Sequence, residues 1–168
     1  RNAPSKKKPR RLARLPVLPQ NWQQNKKKRT GKFSIYGKSE IMENLKIIYA
    51  GSPLASAMVL KQLIDSQSEA KFTIVGVLTN PPSTRGRHSD LVPTEVASLA
   101  KENNIPVFEF EHLMSEAREA VLPLGADLLV SFDYGRIFGP KFLSLFPFGG
   151  INLHPSLLPK YRGCTPVP

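Results

Sequence analysis

Residues 45–79 read LKIIYAGSPLASAMVLKQLIDSQSEAKFTIVGVLT, and this stretch decides the fold. Leu45–Ala50 is a short, β-rich apolar run. Gly51, Ser52 and Pro53 then make a turn, with Ser52 placed to cap a helix and Pro53 suited to its first position. Leu54, Met58, Leu60, Leu63 and Ile64 recur at helical spacing and predict a helix to about Asp65. Phe72–Thr79 is apolar without alternation, as a strand buried on both faces must be.

Outward from this unit the pattern repeats. Residues 80–92 have turn chemistry, Pro81-Pro82 and Arg85-Gly86-Arg87, and no periodicity. Thr94 with Ala97 and Ala100 starts a helix running to about Asn103. Residues 105–108 predict a short strand, 114–121 a helix, 127–132 (DLLVSF) a strand, 140–145 a short helix and 150–153 a fifth strand. Apolar strands alternating with helices predict a doubly wound, mainly parallel α/β sheet, Rossmann-like and covered on both faces.

The chain has 168 residues and a net charge of +11, a value that would ordinarily suggest a nucleic-acid partner. Its distribution argues otherwise: residues 1–41 hold 13 Lys and Arg against one acid, and residues 42–168 hold 11 against 12. The basic character therefore belongs to the first 41 residues, where Lys6-Lys7-Lys8 and Lys26-Lys27-Lys28-Arg29 form charge blocks without apolar periodicity. That segment reads either as an RNA-binding or targeting extension or as residues outside the working protein. Met42, just ahead of the first strand, is the expected natural start, so the working domain is expected to run from 42 to 168. The single cysteine, Cys164, excludes an internal disulfide and lacks the partners of a metal cluster, so no metal is expected. No apolar run reaches the roughly 20 residues of a membrane span.

Ligands of open α/β sheets bind beyond the carboxyl ends of the strands, and three loops fall there. Residues 51–56 lack the later glycines of a dinucleotide fingerprint and read as an ordinary strand-to-helix turn. Arg85, Arg87 and His88 either close over an anionic substrate or are simply solvated. The third loop follows Gly150-Ile151-Asn152-Leu153-His154, where Asn152 and His154, two residues apart on a strand, share a face. An imidazole can pass a proton near neutral pH, and a carboxamide can donate to an oxygen that gains charge. The pair suits acyl-type transfer straight to a bound amine, because neither Ser nor Cys stands in a nucleophile elbow and Cys164 reads as packing.

The motif Asn152-Leu153-His154-Pro155-Ser156-Leu157-Leu158-Pro159-Lys160-Tyr161-Arg162-Gly163 resembles the signature of the folate-dependent formyltransferases. The resemblance runs along most of residues 44–168, through Ala50-Gly51-Ser52-Pro53, Val75-Gly76-Val77 and Asp127-Leu128-Leu129-Val130. Arg85-Gly86-Arg87, followed by Leu91-Val92-Pro93-Thr94, is similar to the basic loop of the methionyl-tRNA formyltransferase branch. The resemblance implies formyl transfer from 10-formyltetrahydrofolate to the amine of methionyl-initiator tRNA, for translation initiation. It implies that Asn152 stabilises the formyl oxygen, that His154 assists the charge and proton movement, that Ser156, Leu157, Leu158 and Pro159 line the tetrahydrofolate pocket, and that Arg85 and Arg87 contact tRNA. A cytoplasmic enzyme, monomeric at full length, is the corresponding expectation.

The family's third catalytic residue is an Asp lying beyond the His. No residue of this chain matches it, and Asp127 and Asp133 precede the motif. Residues 42–168 are therefore expected to be inactive alone and prone to aggregate through exposed apolar surface; measurable formylation of methionyl-tRNA by them would refute this. Other readings are a formyltransferase for a sugar-nucleotide or purine-precursor amine, and a non-catalytic basic RNA-binding protein.

Overall fold

The computed structural model describes residues 44–84 and 90–162. The basic segment 1–41, Met42, Arg85, Arg87, His88, Gly163 and Cys164 lie outside the described residues. Five parallel strands form the sheet: β1 (Leu45–Ala50), β2 (Phe72–Thr79), β5 (Val107–Glu109), β6 (Leu128–Phe132) and β7 (Gly150–Leu153), in the order β5-β2-β1-β6-β7. Helices α1 (Leu54–Ala70), α2 (Glu95–Glu102), α3 (Ser115–Val121) and α4 (Pro140–Leu143) connect them. β1 is central and the chain winds outward from it in both directions, so the doubly wound α/β reading holds.

Strand alternation separates two apolar layers. Ile47 and Tyr49 of β1 join Ala57 and Leu60 of α1 and Val96 and Ala100 of α2. Ile48 and Ala50 face the other way, with Ala117 and Val121 of α3 and Phe142 of α4. In β2 the alternation is broken, because Ile74 and Val77, three residues apart, both belong to the first layer. The cause is a bulge: Ile47 of β1 pairs Ile74 and Ile48 pairs Gly76, leaving Val75 as an extra residue that reverses the parity of everything after it.

Several expectations need correction. Helix α1 runs on to Ala70 rather than ending near Asp65, and Leu54 and Met58 are 62% and 64% exposed, so they are not its buried stripe. Its rotation is set by Ser56, which is fully buried. The Ser56 hydroxyl donates to the Phe132 carbonyl at 2.7 Å, and the Tyr49 phenol, 2.8 Å from the Ser56 carbonyl, donates to that same residue. Burial pushes the Tyr49 phenol up to about 12, which keeps it a donor. Ser52 caps no helix; Pro53 holds that position, and the Ser52 hydroxyl accepts from the Asn80 amide at 3.2 Å. Thr94 is a true cap, accepting from the Ala97 amide at 3.0 Å. Within residues 80–92, read as turn only, β3 (Ser83–Thr84) and β4 (Leu91–Val92) form a small antiparallel ladder. Among the described residues β7 is the last strand on its side of the sheet, and residues 150–153 are all exposed.

Gly51 has a packing reason. A Cβ there would stand 1.7 Å from Ser56 Oγ and 2.8 Å from the Phe132 carbonyl oxygen. Gly51→Ala is expected to destabilise by about 1–3 kcal/mol through overpacking, read as a lower urea midpoint at unchanged slope.

Candidate active site

The carboxyl ends of β6 and β7 form an open groove of about 400 Å³. Asn152 and His154 line it, joined by Ser131, Asp133, Arg136 and Ile137 from the end of β6 and the loop after it. The parallel register sets Ser131 beside Asn152. Ser131, only 4% exposed, donates from its hydroxyl to Asn152 Oδ1 at 2.9 Å. With Oδ1 engaged, the amide's Nδ2 group is turned away from Ser131 as a donor.

His154 is oriented by the loop that follows it. Ser156 Oγ lies 2.9 Å from His154 Nδ1 and donates to the Tyr161 carbonyl at 2.7 Å. A hydroxyl has one proton, and a carbonyl can only accept. The contact with the ring is therefore Nδ1–H donating to Ser156 Oγ, which puts the lone pair of the neutral imidazole on Nε2. Ser156→Ala in the full-length gene product is expected to lower turnover roughly tenfold through loss of this tautomer control, with kcat falling more than KM. Steady-state kinetics check this.

Arg136 supplies the positive charge of the groove. Its Nε donates to Asn80 Oδ1 at 2.7 Å, and Asn80 Nδ2 donates to the Tyr134 carbonyl at 3.3 Å. The end of β2 thus holds the 134–138 loop, with the guanidinium placed where an anionic group can be met. Burial pushes the Tyr134 phenol up to about 12.

The sequence-derived pair Asn152 and His154 is brought into one groove, and Ser156 is tied to His154. Leu157, Leu158 and Pro159 are exposed, with a cis bond between the last two. Arg85 and Arg87 lie outside the described residues. Asp127 accepts from the Lys46 amide at 3.0 Å, where β1 and β6 begin, which is a structural role away from the groove. Asp133, set aside on chain order, lines the groove and sits in the left-handed backbone region at φ 49°. Ser131 and Arg136 were missed; a serine inside the apolar run Leu128–Phe132 was the available signal for the first.

Fold and site together define a doubly wound α/β protein whose polar chemistry sits at the ends of two adjacent parallel strands. The chain belongs to the formyl transferase family, whose profile matches residues 44–168. It is 39% identical over 132 residues to the methionyl-tRNA formyltransferase of Treponema denticola, covering 74% of this chain and 39% of that protein. It is 42% identical over 132 residues to that of Treponema pallidum strain Nichols, covering 74% and 40%. The chain thus spans about two fifths of the length of these curated relatives. Among solved structures, glycinamide ribonucleotide transformylase 1 from Geobacillus kaustophilus matches with a TM-score of 0.57 at 19% identity, over 72% of this chain and 63% of that one. That likeness is one of fold. No helix among the described residues is long and apolar enough to cross a membrane.

Proposed function

We propose that the gene product carrying this chain transfers a formyl group from 10-formyltetrahydrofolate to the amino group of methionyl-initiator tRNA in the cytoplasm. The observation that carries formyl transfer is the groove itself, where a carboxamide with its oxygen engaged stands two residues from an imidazole of defined tautomer. The acceptor is inferred from the methionyl-tRNA formyltransferases that the chain resembles at about 40% identity.

The groove suits a folate-type donor: Leu129, Ile137 and Phe138 offer apolar wall, and Arg136 and Asn152 offer donors. The donor, when bound, supplies an electrophilic formyl carbon and a leaving nitrogen. Asn152 Nδ2 donates to the formyl oxygen as the amine adds to that carbon and charge moves onto oxygen. His154 Nε2 takes the proton that the amine gives up and returns it toward the departing nitrogen, so the new C–N bond forms and the old one breaks with no net proton change. Ser156, Leu157, Leu158 and Pro159 border the donor, and Arg85 and Arg87 meet tRNA phosphates.

The test is a comparison of acceptors with the full-length gene product and labelled donor. Formylation of methionyl-tRNA with kcat/KM at least a hundredfold above that for a phosphoribosyl amine or an amino-sugar nucleotide is expected. The reverse ranking would overturn the acceptor and leave formyl transfer standing. Tail-dependent RNA binding without formyl transfer to any amine would overturn both.

A further inference from the structure

We infer that Ser131 is the positioning residue of the site: its buried hydroxyl decides which end of the Asn152 carboxamide faces the groove. The inference rests on the reading of Asn152 as donor to the formyl oxygen. A carboxamide has two ends of nearly equal shape and opposite hydrogen-bonding sign. With Nδ2 toward the groove it stabilises a developing oxyanion; with Oδ1 there it repels one. Packing scarcely tells two ends of nearly equal shape apart, so the choice between these orientations falls to hydrogen bonding.

Ser131 does choose. It is 4% exposed, fixed on β6, and held beside Asn152 by the parallel register. Its hydroxyl stands 2.9 Å from Asn152 Oδ1, whereas the other acceptor within reach among the described residues, the Ile151 carbonyl, is at 3.5 Å. Turning the amide over would make Ser131 accept from Nδ2 and send its own proton to that distant carbonyl, a much poorer bond. The good geometry is the one that turns Nδ2 away from Ser131 and toward reacting atoms.

A double-mutant cycle in the full-length gene product tests this, with Ser131→Ala, Asn152→Ala and the pair, read as kcat and KM for both substrates and as Tm. Ser131→Ala is expected to lower kcat roughly three- to tenfold with each KM within about twofold, and to have no further effect once Asn152 is alanine. Ser131→Thr, which keeps the hydroxyl, is expected to recover most of the loss. An equal kcat loss in both backgrounds, or unchanged kcat in Ser131→Ala beside a crippled Asn152→Ala, overturns the positioning role and leaves the formyl-transfer reading intact. Full turnover in Asn152→Ala overturns the oxyanion reading, and the role of Ser131 with it.

Discussion

Asn152→Ala in the full-length gene product is expected to lower kcat by roughly 10²–10³-fold while substrate KM values stay nearly constant. The reason is differential: the carboxamide meets an uncharged formyl oxygen weakly and a developing oxyanion strongly, so its loss falls on the transition state. Asn152→Asp is expected to be at least as damaging, because a carboxylate keeps the shape, loses the donor and adds repulsion. Neither change removes volume from the two apolar layers, so Tm should move far less than for a core truncation. Single-turnover rates with both substrates saturating separate this chemical defect from weakened binding. Loss of KM alone would mean that Asn152 only binds.

The second large effect lies in the packing beneath the groove. Tyr134, Phe138, Phe142 and Phe146 form a continuous run of rings, with successive centroids 5.4, 5.9 and 5.7 Å apart. Phe142, the third ring of the four, has a ring on either side and is 1% exposed. Phe142→Ala removes contacts to both neighbours and leaves a cavity that short α4 cannot close, so a loss of about 3–5 kcal/mol is expected in urea unfolding. Tyr134 and Phe138 belong to the loop that walls the groove. Activity should therefore fall with stability and recover partly on cooling, whereas the Asn152 defect should not recover.

Much of this arrangement was legible in the sequence, for identifiable reasons. The five parallel strands are runs of apolar, often β-branched residues bounded by turn chemistry, and each was found within a few residues. Asn152 and His154 were found because alternation along a single strand is a property of that strand alone. The helix α1 face was misjudged because apolar spacing names Leu54 and Met58, while the rotation is fixed by a buried serine bonded to Tyr49 and Phe132. The β3–β4 ladder has two residues per strand, too few to leave a periodic trace. Ser131 was missed because its partner lies 21 residues away on another strand, and register between strands is not written in either one. Arg136 was missed for a similar reason, since Asn80 comes to it from 56 residues earlier.

The extra residue in β2 marks a point where the strand can change length without changing which side chains face each layer. Beyond Val75, Val77 points at α1 and α2, Leu78 at the opposite layer, and Thr79 back toward Thr94, whose hydroxyl lies 2.6 Å from its own. Trimming the Val75 side chain removes a little volume and leaves those directions alone. Deleting the residue leaves them alone as well, because the pairs Ile47–Ile74, Ile48–Gly76 and Tyr49–Val77 are kept and Ile74 and Val77, then two apart, face one layer by regular alternation. A one-residue gap at Val75 among relatives would thus mark a straightened strand over the same two layers, whereas a gap at Val77 would carry Leu78 and Thr79 to the wrong faces.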